Sequence, residues 1–323
     1  MTVGDFEHRN EARWAEYERL VDGLERGRPG PDAGSLPQRF RELCVDLSLA
    51  EHRMYGERLT RRLNGLVIRG YEMVYRNRRS GWERLARFLG LGLPQAVRRE
   101  WRLFGLCSAA FWLPFLAVMF SAVVDLEWVQ SILGADGMAA MDQMYGGREA
   151  QVEHLRTEYG ANFMMFGHYL NHNVGIDLQT FAGGIAGGVG TLFFLLYNGV
   201  YLGAVAGYVN QAGDPESFWT FVSGHSSFEL LGMVVAGMAG MRLGLGLLRP
   251  GRLPRARALT EAAQRALPLI LGAMLLTMLA AVVEGFWSAQ LLPSGLKYGV
   301  GIAGWGLLGC YFTLAGRGMA DGT

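Results

Sequence analysis

His225 and Glu229 stand four residues apart in FVSGHSSFELLGMVVAGMAGMRLGLGLL, residues 221–248, a run otherwise suited to hydrocarbon. At positions i and i+4 an imidazole and a carboxylate share one helical face. A second carboxylate, Glu284, follows the uncharged stretch 266–283 and has nothing in its own helix to pair with. Ionisable groups in apolar spans are costly, so they face a cavity, a partner or an ion path. The three residues therefore predict one polar cluster. His and Glu are zinc-ligand types, and a divalent metal such as zinc on His225, Glu229 and Glu284 is the sharpest chemistry the set could support. Other polar residues at membrane depth are His168, Asn171, His172, Asn173, Asp177 and Asn198. Of these His172, Asn173 and Asn198 are candidates for the same cluster. No HExxH motif occurs, so a ligand set would have to be assembled from distant segments. A plainer reading covers part of the pattern: Ser226-x-x-Glu229 is a capping box, with Ser226 as the helix cap and Glu229 reaching back to a backbone N–H. Glu284 is left unexplained by it.

The elements that must position these residues are written in the distribution of charge. Of 323 residues half are hydrophobic and 18% charged, against roughly 25% in an average soluble domain. Residues 1–102 hold 20 of the 30 basic and 15 of the 29 acidic side chains. That asymmetry divides the chain into a charged helical domain (residues 1–80), a basic and aromatic interfacial segment (81–102) and a transmembrane helical domain (103–318). A net charge of +1 gives no argument for nucleic acid, and three scattered cysteines form neither a CxxC nor a disulfide framework. The first hundred residues contain no short apolar run of the secretory type.

In the first domain, helical stripes at 6–26, 37–55 and 56–79 read as a small bundle. Along 81–104 basic and aromatic residues alternate, placing Trp82, Phe88 and Trp101 at headgroup depth and Arg84, Arg87, Arg98 and Arg99 toward anionic lipid. Residues 103–124 read as a span. Residues 125–160, with seven acids and two arginines, read as an extramembrane and partly helical segment. Residues 178–213 carry no charge; as a single helix they would run about 54 Å at 1.5 Å per residue, well beyond the bilayer core. They must fold back at AGGIAGGVGT, giving spans near 163–186 and 189–211. DPESFWTFVSG, 214–224, reads as a half-helix dipping into the membrane, followed by spans near 226–248, 266–290 and 296–316. The fold class is all-α, a polytopic membrane bundle of about six spans, or five if the glycine-rich run is re-entrant. Arginine-rich segments stay cytoplasmic, which puts the N-terminal domain and the 249–265 loop on one side. Gly199, Gly203 and Gly207, and Ala236, Gly240 and Gly244, form small-xxx-small faces. They serve packing within the chain or, alternatively, a homodimer.

Asn173-Val174, Phe181, the Gly183–Gly190 run, Asn198-Gly199, Leu202-Gly203, His225, Glu229-Leu230, GMRLGLGLL, the basic loop and Glu284-Gly285-Phe286 together resemble the stage II sporulation protein M family over about residues 163–290. Arg13-Trp14 and LNGLV at 63–67 are similar to its longer, non-sporulation members. The family pattern places His-Gly before the glutamate, whereas Gly224-His225-Ser226 here moves the glycine ahead of the histidine. With the charge-based topology above, the expectation is a bacterial inner-membrane, multi-pass protein with a cytoplasmic N-terminus. In spore formers the family member is a scaffold that recruits cell-wall hydrolases. Longer relatives occur beside genes for MoxR-type ATPases and von Willebrand factor A-type proteins. The leading expectation is thus an integral membrane scaffold or assembly factor of a cell-envelope complex, likewise a homo-oligomer. Its rivals are a membrane-embedded metal-dependent hydrolase using His225, Glu229 and Glu284 with His172, and a transporter or channel built on a broken helix at 214–226.

Overall fold

The structure is a computed structural model and describes residues 2–28, 30–75 and 81–318. It divides into two compact units, Met1–Trp82 and Glu83–Thr323.

The first unit holds three helices: α1 (Val3–Glu25), α2 (Leu36–His52) and α3 (Glu57–Tyr75). The expected end of the third helix near residue 79 lies outside the described residues. Thr2 caps α1 through a capping box with Asp5, satisfying two backbone donors that a helix start leaves orphaned. The stripe Trp14, Tyr17, Val21 packs on Leu43 and Leu63 to form the core. Buried Asp46 accepts from the Trp14 indole at 2.9 Å and from Arg13 at 2.5 Å, tying α1 to α2. Arg62 reaches Glu11 in a two-point pair, and Arg69 reaches Asp22 and Glu25, so these two arginines of α3 are bound across the bundle to α1. These pairs hold the Glu11 and Glu25 carboxyls below the ordinary glutamate range.

α4 (Gly81–Arg87) crosses the boundary into the second unit and leads to a π-helical turn at Phe88–Gly92 and to α5 (Leu93–Arg99). Expected as an interfacial strip, residues 93–99 instead dock into the bundle. Leu93 and Val97 are buried in the main core, and the Leu93 side chain lies against Gly272. Arg98 donates to the carbonyls of Phe312 and Ala315 at 2.9 and 2.7 Å rather than facing lipid. The last carbonyls of a helix have no partners within it, and a guanidinium supplies them. Trp82 and Trp101 remain exposed, as an interfacial reading requires.

Then follow α6 (Trp101–Ser121), α7 (Leu126–Tyr145, kinked at Gly134), α8 (Arg148–Tyr159), α9 (Asn162–Ala182), α10 (Val189–Ala212), α11 (Pro215–Leu248), α12 (Arg255–Val283) and α13 (Ser294–Leu314). The uncharged stretch folds back where its length demanded. A short 3-10 turn at Gly183–Ala186 is followed by Gly187 and Gly188 at φ 67° and 88°, conformations that glycine adopts without penalty. Thr191 closes the hairpin by donating to the Thr180 carbonyl at 2.7 Å.

α11 departs from expectation. Instead of a half-helix and a separate span, one helix of 34 residues runs from Pro215, capped by Asp214, which accepts from the Glu216 N–H at 3.1 Å. Ser226 is therefore inside a helix and is not a cap; its hydroxyl donates to the Ser223 carbonyl at 3.3 Å. Gly224 does not end the helix; the Trp287 ring lies where a side chain there would stand. The glycine marks close packing, not a break.

Four helices among the described residues are long and apolar enough to cross a membrane: Trp101–Ser121, Val189–Ala212, Pro215–Leu248 and Arg255–Ser288. The other two expected spans, α9 and α13, are helices of 21 residues each and fall outside that set. Both small-residue faces are used inside the chain. Gly199 and Gly203 meet the carbonyls of Phe111 and Phe115 on α6, while Gly240 and Gly244 meet the α9–α10 turn and the helix ends beside it.

The Tyr17 hydroxyl is buried without a hydrogen-bond partner and points at Gly70, where no side chain fits. A buried polar group left unpaired costs about 1–3 kcal/mol. Tyr17→Phe should therefore be neutral or stabilising by up to about 1 kcal/mol, read as slower amide exchange in α1 and α3 of the full chain. Faster exchange in these helices would show that the hydroxyl has a partner in solution.

Candidate functional site: a buried histidine between two carboxylates

His225 lies in the N-terminal third of α11, 3% exposed, and is approached from two sides. One turn along its own helix, Glu229 presents a carboxylate oxygen 3.7 Å from Nε2. From the end of α12, Glu284 presents an oxygen at the same distance from the same nitrogen. The other ring nitrogen, Nδ1, is 3.0 Å from the Ser288 hydroxyl. Both Glu284 and Ser288 belong to a π-helical turn, Glu284–Ser288, that continues α12. Such turns are rare and recur at functional sites. Here the turn directs two side chains at one imidazole, a carboxylate to Nε2 and a hydroxyl to Nδ1.

Asn173, on α9, donates to the second oxygen of Glu284 at 3.0 Å. Lys297, on α13 and 3% exposed, donates to the Ser288 carbonyl at 2.6 Å and stands 5.8 Å from the centre of the Trp287 ring. Four helices thus meet at the cluster. Asp177, one turn beyond Asn173, is held separately by Thr277 at 2.5 Å.

Two of the expected members stand elsewhere. Asn198 donates to the Phe194 carbonyl of its own helix at 2.8 Å and does not join. His172 is exposed and stacks on His168 with ring centres 6.1 Å apart. The i, i+4 spacing aligned the two histidines with each other but turned them away from His225. Ser288 and Lys297 were missed. Lys297 had a signal, as the one lysine in the chain lying within an apolar segment; Ser288 had none, because serine in a membrane helix ordinarily bonds to its own backbone.

One candidate ligand atom from each of His225, Glu229 and Glu284 lies within 4.8 Å of the others. Zinc binds nitrogen and carboxylate oxygen at roughly 2.0–2.2 Å, so a modest inward movement would bring all three onto one ion and leave a coordination position open. Ser288 on Nδ1 fits the usual second-shell role of fixing the ring and its tautomer. Without an ion, two facing carboxylates must be relieved by protons or by donors on a bound molecule.

Beside the cluster is a cavity of about 670 Å³. His225, Ser226, Glu229 and Glu284 contribute to its wall; Trp112, Phe115, Leu202, Phe218 and Trp305 are among the many apolar residues that make up the rest. A large apolar pocket with a few convergent polar groups is the usual form of a ligand site.

The cluster makes a stability prediction that separates shape from polarity. Glu284→Gln keeps an acceptor for Asn173 and should change unfolding in detergent by no more than about 1 kcal/mol, whereas Glu284→Leu strands the Asn173 amide and should cost about 1–3 kcal/mol. Equal stability of the two variants would mean that the Asn173–Glu284 bond contributes nothing.

Comparison with known families places this geometry in context. Residues 104–289 match the family described as Stage II sporulation protein M, a segment containing Asn173, His225, Glu229, Glu284 and Ser288. Residues 4–76 match a domain of unknown function (DUF8413). No curated protein and no solved structure matches the chain. With more than half of its length covered by that first match, the chain belongs to the stage II sporulation protein M family.

Proposed function

We propose that this chain is an integral-membrane scaffold or assembly factor of a cell-envelope complex in a bacterial inner membrane. The observation that carries the reading is its build: a charge-rich three-helix unit with its own core, joined to an apolar helical bundle of the stage II sporulation protein M family. The first unit offers a docking body and the second an anchor.

A six-crossing topology with α6, α9, α10, α11, α12 and α13 as spans is supported by which chain ends meet. At one end, the Asp214 N–H bonds to the Tyr145 carbonyl, and Arg148 bonds to the Leu292 carbonyl and the Ser294 hydroxyl. At the other, Arg98 bonds to residues 312 and 315, Gly187 lies by Leu248, and Arg242 pairs with Glu100 at 3.3 Å. These groupings are the two that six crossings require. The arginine-rich segment 249–265, a short loop and the first turns of α12, falls at the second end, and its charge favours a cytoplasmic side for that end and for the N-terminal unit. Self-association as a homodimer would need a surface other than the α10 and α11 glycine faces.

The docking body is suited to cytoplasmic partners such as a MoxR-type ATPase or a von Willebrand factor A-type protein. Purified from its host in mild detergent, the full chain should carry such partners, and a chain lacking residues 1–80 should lose them. Their retention by an intact, membrane-inserted shortened chain would overturn the docking role.

The ligand-type geometry at His225 favours a second reading, a membrane-embedded metal-dependent hydrolase, in which the three side chains hold a divalent ion. The transporter reading has no such support, since α11 is unbroken. Elemental analysis of the purified protein should find stoichiometric zinc that disappears in His225→Ala. Protein purified without chelators and still free of divalent metal would exclude the hydrolase.

A further inference from the structure

We infer that the cavity beside His225 holds the hydrocarbon chain of a membrane amphiphile, admitted sideways between α6 and α13, with a hydrogen-bond-donating head against His225, Glu229 and Glu284. The inference rests on the membrane placement of the bundle and is independent of metal loading.

The position of the mouth is the first support. Most lining residues are buried or half-buried, but Leu116 on α6 and Tyr298 and Ile302 on α13 are exposed. Ile302 is 75% exposed, and Leu113, one turn before Leu116 on α6, is exposed as well, as is Leu307 on another face of α13. In a bilayer such surface meets lipid tails. The opening therefore leads to hydrocarbon, and what diffuses past it is a lipid chain. Trp112 and Trp305 touch edge to face, ring centres 5.8 Å apart, and so close the α6–α13 wall beside this opening.

The lining is the second support. Aromatic and aliphatic side chains from α6, α10, α11 and α13 dominate it. Water in such a space would find few of the two to four polar partners it needs, and an empty space of this size would forfeit dispersion contacts along every wall. A flexible chain drawn from the bilayer satisfies both constraints.

The polar end selects the head. Glu229 and Glu284 both face the cavity and are acceptors when ionised. Two carboxylates repel a bare phosphate and attract an ammonium or hydroxyl. A phosphatidylethanolamine-type head, with a primary amine, is the matching chemistry; a quaternary ammonium has no donor to offer.

The test uses the full chain in nanodiscs with a phosphatidylethanolamine probe bearing a diazirine midway along one acyl chain. After illumination, mapped adducts should fall on the lining residues Met119, Leu202, Val222 and Leu230 as well as on the outer residues Leu113 and Leu307. Val222→Trp, which fills the cavity, should cut the lining adducts at least five-fold and leave the outer ones unchanged. Leu230→Trp does the same from the next turns of α11 if the first variant fails to fold. Adducts confined to outer residues in the wild type, or lining adducts indifferent to a folded blocking variant, would overturn chain capture. The analogous phosphatidylcholine probe should label the lining several-fold less; equal labelling overturns the head assignment. Chelator treatment should not alter capture, so absence of zinc sinks the hydrolase alone, and loss of labelling on chelation sinks the metal-independent form of this inference.

Discussion

Close backbone approach to α11 is the constraint on which the bundle depends. Inside a membrane the hydrophobic effect does not drive helices together, and packing has to do so. Around α11 its close neighbours α9, α10, α12 and α13 each approach at a glycine. Trp287 lies on Gly224, Thr277 on Gly232, the hairpin of α9 and α10 on Gly240 and Gly244, and Gly301 of α13 on the Ser223 carbonyl. A Cβ at any of these positions would collide with a neighbour. The result is a central helix ringed by α9, α10, α12 and α13, with α6 beside α10.

The polar cluster follows from that arrangement. Because α11 continues through Gly224 and Ser226, His225 and Glu229 sit on one unbroken face, one turn apart. Because Trp287 settles on Gly224, the turn that carries it places Glu284 and Ser288 on either side of the imidazole. In hydrocarbon, where no water compensates an unpaired group, each of these bonds limits what the others can do. Lys297 holds the Ser288 carbonyl, and Asn173 holds Glu284, so the geometry at His225 is set from three helices other than its own.

Scaffold and reactive centre are not competing descriptions of the same atoms. The first concerns a charged helical body and the family to which the membrane unit belongs; the second concerns one buried imidazole, its carboxylates and an apolar cavity. A membrane assembly protein that also senses or alters a lipid would use both. The chemistry of the site favours donors or a metal ion over a free anion, because two acceptors converge where one charge would be tolerated.

Much of the fold was legible because it depends on local pattern. Charge density separated the first domain from the rest, the long uncharged stretch had to turn at its glycines, and His225 and Glu229 had to share a face once they were helical. The grouping of His225 with Glu284 was also anticipated, since a carboxylate after a long apolar run requires a partner somewhere. What the sequence could not express was rotation of one helix against another. Asn173 and Asn198 look alike in sequence, yet packing turns the first toward Glu284 and leaves the second to its own helix. His172 pairs with His168 for the same reason. Ser226 has the spacing of a cap, but a cap exists only where the preceding backbone leaves the helix. Here it does not leave: α11 runs on from Pro215, and Gly224 receives Trp287 from 63 positions away. Local sequence determined which segments are helical and which faces are polar; only the tertiary structure decided which faces meet, because that depends on the shape each helix presents to all the others at once.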